Sequence, residues 1–280
     1  SPMANAIQTM TGAGLKTYFN NGYQRYVARF DNTWAGNVTG YYKVDYSQNQ
    51  KFMDLLAQGH SLEAVVMADY GETLPNAEAK FFSSHEGGGT GFLVSTISGT
   101  RQNEWTFLPN VTTTGNSTWH WATSGIVPQA KTYYHLVGVW NKTTEKADIY
   151  VDGKLMNSVD APGNFKFPNA TSCYWFGIGC DASGAGGAQG WIGDVVVARI
   201  YSEALSQNEV TALYNDVSGI NAEKPTDFIT NVSLPSGYNV DAGGTIDIAG
   251  TGFQDGDKII IRSTGTDATQ CTIDPTLTVQ

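Results

Sequence analysis

The stretch Tyr133-Tyr-His-Leu-Val-Gly-Val-Trp-Asn-Lys-Thr-Thr-Glu-Lys-Ala-Asp-Ile-Tyr-Val-Asp-Gly-Lys-Leu-Met-Asn-Ser-Val159 reads as three antiparallel strands joined by two turns. In the first strand, His135, Val137 and Val139 share one face and Tyr134, Leu136 and Trp140 the other, the two-residue period of a pleated strand. The polar run from Asn141 to Lys146 turns the chain. In the second strand Ala147, Ile149 and Val151 oppose Asp148 and Tyr150, and Asp152-Gly153 then supplies the φ > 0 pair of a two-residue hairpin.

Outward from this stretch the same rhythm recurs. Ala28 to Phe30, Tyr41 to Tyr46, Ser61 to Ala68, Lys80 to Ser84, Gly91 to Thr96, Glu104 to Leu108, Ser117 to Thr123, Cys173 to Cys180 and Trp191 to Tyr201 all read as strands. Phe52, Leu55 and Leu56 stand at helical spacing and predict one or two turns ending at Gly59. Ser206-Gln-Asn-Glu209 is a capping box opening a helix whose apolar face is Val210, Leu213 and Tyr214 and whose end is marked by Asn215, Asp216 and Gly219. Residues 1–24 are small and polar, a lead-in that partly joins the sheet. Residues 25–217 carry the strand pattern, and the polar, proline-containing run 218–226 is a linker. Residues 227–280 start afresh with short strands (Phe228-Ile-Thr-Asn-Val-Ser-Leu234 among them), too few for the roughly 100 residues of a full sandwich.

The bulk composition agrees with an all-β chain. Of 280 residues, 32 are glycine and 12% are aromatic, a profile of short strands and glycine turns. The formal charge of −10 argues against nucleic acid as a partner, since a phosphate backbone would be repelled. No apolar run is long enough to span a membrane, and the N-terminal Ser1-Pro-Met-Ala-Asn-Ala-Ile does not read as a signal peptide. Cys173 and Cys180 bracket what reads as one extended strand of roughly 23 Å, too far apart for a disulfide, so both are expected as free buried thiols. Six N-x-[ST] sequons occur, at Asn37, Asn110, Asn116, Asn141, Asn169 and Asn231.

Several of these segments, in order, resemble the laminin-G-like, concanavalin-A-like jelly-roll domains of bacterial secreted proteins. In that family a strand of the form W-x-H-V-A-G-V-Y-D leads into L-Y-V-D-G-K-L, matched here by Tyr133 to Asn141 and by Ile149-Tyr-Val-Asp-Gly-Lys-Leu155. Ser61-Leu-Glu-Ala-Val-Val66 is similar to an early S-x-E-A-W-V strand, and Gly190 to Tyr201 followed by Ala204-Leu-Ser-Gln-Asn-Glu-Val210 to the family's last strand and helix. Tyr133 and Val66 depart from the tryptophans usual at those places. The tail resembles immunoglobulin-like IPT/TIG modules through Ile229 to Pro235 and Gly243-Gly-Thr-Ile-Asp-Ile-Ala-Gly-Thr-Gly-Phe253. The resemblance implies a concanavalin-A-like jelly-roll sandwich over 25–217 and a partial immunoglobulin-like β-sandwich over 227–280.

Catalytic patterns are missing from the sequence. Glucanases of this architecture place carboxylates in an E-x-D-x-x-E run, so that acid and nucleophile flank the glycosidic bond from one strand face. Here Glu63 stands alone on its strand, Asp148 reads as solvated and Asp152 as a turn former. The glycine-rich runs His85-Glu-Gly-Gly-Gly-Thr-Gly91 and Ser183-Gly-Ala-Gly-Gly-Ala-Gln189 lack the marks of phosphate or calcium loops and read as turns. Related domains often hold one calcium ion, and Asp31, Asp181 and Asp194 at strand ends are the candidate oxygen ligands. Sugar binding needs exposed indoles against which a pyranose can stack. The candidates are Trp34 in a loop-like segment and Trp119 and Trp121 on one strand face, although core packing is the commoner fate of such rings. Trp140, Trp175 and Trp191 belong to the core.

The expectation is therefore a non-catalytic module of a secreted or cell-surface bacterial protein, monomeric, binding a polysaccharide or a glycoprotein glycan. The alternatives are a spacer that positions a separate catalytic domain, or a glycoside hydrolase of the same fold.

Overall fold

The computed structural model describes residues 7–8, 15–20, 22–23, 25–95, 103–113, 116–184, 186–222, 228–233, 247–251, 260–261 and 271–272. The chain divides into two compact units, Ser1–Asn221 and Ala222–Gln280.

Unit one is a sandwich of two seven-stranded antiparallel sheets. The front sheet runs, in spatial order, through Ile7–Gln8, Tyr42–Asp45, Trp175–Ile178, Ala79–His85, Gly89–Ser95, Glu104–Phe107 and Ala122–Thr123. The back sheet runs through Lys154–Asp160, Lys146–Val151, Tyr133–Asn141, His60–Ala68, Ile192–Tyr201, Arg25–Asp31 and Leu15–Asn20. Consecutive hairpin strands alternate with strands from distant parts of the chain: Tyr42–Asp45 lies beside Trp175–Ile178, and His60–Ala68 between Tyr133–Asn141 and Ile192–Tyr201. The faces that meet are those the alternation predicts: Leu62, Ala64, Val66, Leu136, Trp140, Ile149 and Val151 from the back sheet pack on Phe81, Phe92, Trp105, Phe107 and Phe176 from the front. Gly138 belongs to this face because a Cβ there would stand 2.2 Å from the Phe107 ring. Asp152 and Gly153 turn with φ of 50° and 76°, and Asp152 also accepts the His135 amide at 3.0 Å, so the predicted hairpin closes in register.

Two helices complete the unit. In α1 (Gln50–Leu56), Asn49 caps Phe52 N at 3.0 Å and Phe52 and Leu56 enter the core. In α2 (Gln207–Ala222), Glu209 Oε2 accepts Ser206 N at 2.7 Å while Ser206 Oγ accepts Glu209 N at 3.4 Å, the reciprocal bonds of the predicted capping box. The helix lies across the outer face of the back sheet: Val210 packs with Val137, Val139 and Tyr150, and Val217 with Val65 and Val197. It continues to Ala222, past Asn215, Asp216 and Gly219 and into the expected linker. A single Gly costs a helix only about 1 kcal/mol, too little to stop one already docked on a sheet.

Two local expectations are corrected. The run from Ser117 to Thr123 is not one strand: Asn116–Trp119 joins a small sheet with Asn110–Thr113 and Asn164–Phe165, whereas Ala122–Thr123 joins the front sheet. The break falls where the backbone of His120 donates to Pro109 O and its ring meets Asp160 O at 2.7 Å. The Cys173–Cys180 segment shrinks to a strand over Trp175–Ile178, with Cys173 closing a 3-10 turn and Gly179 turning at φ 91° over the Phe30 ring. Both cysteines are free and buried. The glycine-rich run after Ser84 is a turn, as expected, and a shorter one, because the flanking strands extend to His85 and from Gly89.

In unit two, Phe228–Ser233 pairs with Asp247–Thr251 and Ile260–Ile261 with Cys271–Thr272, all antiparallel. The other residues of 227–280, on which the expected immunoglobulin-like module falls, lie outside those described.

Candidate functional site

On the outer face of the front sheet a cleft of about 400 Å³ opens. One wall is the outward face of Ala79–His85, where Lys80, Ser83 and His85 point away from the core. A second is the hairpin Asp181–Ser183/Gly186–Ala188 with Gln189, and a third is the break between strands carrying Trp119 and Trp121. Glu78, Glu86 and Leu108 complete it. Both glycine-rich runs therefore lie on its rim, one through Glu86 and Gly87 and the other through Ser183, Ala188 and Gln189.

The floor is a closed polar network. Lys80 Nζ donates to Asp181 Oδ2 at 2.7 Å, and both groups are buried. The other oxygen, Oδ1, accepts the Ser83 hydroxyl and the His85 amide, the latter at 2.8 Å. Burial raises the Asp181 carboxyl above its ordinary range, against the pull of Lys80 and of these donors. His85 Nε2 meets Leu108 O at 2.8 Å, which puts the imidazole proton on that nitrogen, and Nδ1 lies 3.1 Å from Ser83 Oγ. Burial first, and the charge of Lys80 second, depress the pKa of His85 well below that of free imidazole, so it is neutral. The trio has the residue types of a hydrolytic triad but not its wiring. Asp181 bonds to the serine and to a main-chain amide, not to the imidazole, and Ser83 is wholly buried.

Above this floor stand the indoles. Trp119 and Trp121 are half-buried, and the Trp119 ring meets His85 edge to face at 5.0 Å. The sequence places these two on one strand face. The structure instead gathers them where one strand ends and the next begins, and both still line the one cleft. Trp34 is a correction: it is buried between Trp191 and Tyr70, with Nε1 donating to Ala77 O at 3.0 Å, and offers no face to a ligand. Of the sequons, Asn110 is wholly buried and cannot carry a glycan in the folded chain.

The three calcium candidates do not converge. Asp31 is held by Lys16 at 2.9 Å and Arg29 at 2.8 Å. Asp181 has an ammonium where a cation would sit. Asp194 accepts the hydroxyls of Tyr18 and Tyr133 on one oxygen and has Arg29 3.7 Å from the other. Among the described residues no three His, Cys, Asp or Glu side chains gather as a metal site, and these donors do not fit one. The tyrosine that departs from the family pattern at 133 is thus a donor to Asp194, a role that needs a hydroxyl at that point.

Glu63, alone on its strand in the sequence, is buried under α2. His135 Nε2 lies 3.2 Å from its Oε1, and Arg199 at 3.2 Å and the Tyr201 hydroxyl at 2.6 Å donate to Oε2. Burial would raise this carboxyl; the bonds to His135 and Tyr201 and the charge of Arg199 outweigh it and lower the pKa. The His135 ring lies 5.8 Å from that of Tyr214 on the helix.

A sequence profile described as the concanavalin A-like lectin/glucanases superfamily matches residues 36–211. No curated protein matches the chain. Among solved structures, domain 4 of AbnA, a GH43 extracellular arabinanase from Geobacillus stearothermophilus in complex with arabinotriose, is similar with a TM-score of 0.51 at 14% identity, over 75% of this chain and 87% of that one. The receptor binding domain of botulinum neurotoxin C/D mosaic serotype is similar with a TM-score of 0.52 at 11% identity, over 76% of this chain and 46% of that one, less than half its length. At such identities the likeness is one of fold.

Proposed function

We infer, for a chain that belongs to the concanavalin A-like lectin/glucanases superfamily, that it is a non-catalytic carbohydrate-binding module of a secreted or cell-surface protein, acting as a monomer. The saccharide lies in the front-sheet cleft. The observation that carries this is the pairing of two half-buried indoles, Trp119 and Trp121, with polar side chains in one concavity. C–H faces of a sugar ring stack on indoles while its hydroxyls need fixed donors and acceptors, here Gln189, Glu78 and Glu86. The cleft volume of about 400 Å³ suits one or two sugar units. The buried Ser83–His85–Asp181 network makes it a rigid floor and leaves no free nucleophile or base among those three.

Affinity electrophoresis against soluble polysaccharides, arabinan among them, tests this. The wild-type chain is retarded by at least one polymer, and the Trp119→Ala/Trp121→Ala variant loses about tenfold or more of that affinity while its melting curve shows it still folded at the assay temperature. Retardation by none of a broad panel would return the chain to the role of a spacer.

A further inference from the structure

The cleft's charge is one-sided, and that restricts what it can hold. Its ionisable lining consists of Glu78, Lys80, His85, Glu86 and Asp181. Lys80 is the sole ammonium among them and is already spent, buried and 2.7 Å from Asp181. His85 donates from Nε2 to Leu108 O, has Nδ1 3.1 Å from Ser83 Oγ, and does not supply a positive charge. What is left uncompensated is Glu78 and Glu86. Glu78 Oε1 is enclosed with no hydrogen-bond partner among the described residues, and Glu86 stands exposed on the rim. Where the oxygens of these two carboxylates open on the cleft, water or a hydroxyl or amino group of whatever enters has to satisfy them. Among the described residues that line the cleft, an incoming carboxylate or sulfate would meet two like charges and no free cation.

We propose that this cleft selects saccharides bearing hydroxyl or amino groups and rejects anionic ones, with Glu78 and Glu86 as the residues that set the selectivity. The inference rests on the saccharide-binding reading above and narrows it to a substrate class. Uronic acids, sialic acids and sulfated sugars are outside that class; neutral pentose and hexose polymers are inside it. The chain's overall charge of −10 would also disfavour anions, so the test has to separate the cleft from the rest of the surface.

Matched polymers make that separation. Hydroxyethyl cellulose and carboxymethyl cellulose share a backbone and differ in charge, as do fully methyl-esterified polygalacturonan and polygalacturonate. In affinity electrophoresis at low salt, the wild type is expected to bind the neutral member of a pair about tenfold or more tightly than the anionic one. Glu78→Gln/Glu86→Gln should narrow the gap several-fold, whereas Glu72→Gln/Glu145→Gln, which removes two exposed charges elsewhere, should leave it within twofold. Equal or tighter binding of the anionic member by the wild type would overturn the selectivity alone. An equal narrowing by both double variants would do the same, because it would assign the effect to net charge. Binding of no polymer of either kind would overturn the saccharide reading, and this inference with it. Melting curves for both variants confirm that the folded chain is what is compared.

Discussion

The two outer faces of the sandwich each bury a carboxylate, and they finish it differently. On the back sheet Glu63 is closed over by α2, with His135, Arg199 and Tyr201 as partners and Tyr214 beside them. On the front sheet Asp181 is closed by Lys80 and Ser83, but the cover is only a two-stranded hairpin, and beside it the surface stays open as the Trp119–Trp121 cleft. A sixteen-residue helix with Val210 and Val217 turned inward seals a sheet face. A short glycine-rich hairpin covers a few residues and leaves a rim. The same device, a buried carboxylate tying strands together, serves fold on one face and frames a binding surface on the other.

The largest effects should come from breaking the two carboxylates, and they should part in what else is lost. Asp181→Ala strands the Lys80 ammonium in the interior and is expected to cost about 3–5 kcal/mol in denaturant unfolding, with loss of polysaccharide binding as the cleft wall loosens. Glu63→Ala is expected to cost about 2–4 kcal/mol, less because the Arg199 guanidinium it abandons is partly exposed and can turn to water. Binding should survive it, under conditions where the variant is folded. If Glu63→Ala abolishes binding as completely as Asp181→Ala does, the division between a structural face and a functional face is wrong.

An acid titration sharpens the same contrast. The folded pKa of Glu63 is lowered, so its contribution to stability is present above the unfolded value of 4.5 and is lost as pH falls through the folded one. Asp181 has the opposite sign: its folded pKa is raised above 3.8, so its contribution is present below 3.8 and is lost as pH rises through the folded value. His60, enclosed in the core, is lowered by burial from 6.5 to about 4, and its stabilisation fades over that interval on acidification. The unfolding midpoint in urea is therefore expected to fall from about pH 6.5 downward. Glu63→Gln should flatten the part below pH 4.5, and Asp181→Asn should not. A smaller effect belongs to the seal itself: Ser206→Ala removes one side of the capping box and is expected to lower the melting temperature by roughly 2–4 °C, without changing the cleft's affinity.

Much of the fold was legible because strand alternation, hairpin turns and helix caps are local. Tyr134, Leu136 and Trp140 face the core and His135, Val137 and Val139 the helix, as their two-residue spacing requires. Asp152-Gly153 and Ser206-Gln-Asn-Glu209 act over three or four residues and could be read directly. The cleft was legible only in pieces. Trp119 and Trp121 were identified as indoles, but alternation placed them on an unbroken strand that the structure divides between two sheets. Trp34, in an irregular segment with no period to orient it, turned inward. The Asp181 carboxylate suggests a metal ligand in the sequence; the cation it holds is Lys80, and the two are 101 residues apart in sequence. Both glycine-rich runs read as turns, and nothing within them tells that they line the same cleft.

By itself, then, the sequence determined an all-β sandwich, the inward face of each central strand, the hairpin at Asp152 and the start of α2, because each depends on dihedral preferences and side-chain period over a few residues. Only the tertiary structure decided that Glu63 is a buried anchor and that Lys80, His85, Trp119, Asp181 and Gln189 meet in one cleft. Those contacts follow from a strand order in which neighbours in space are distant in sequence, and which strands pair is settled by packing the whole core at once.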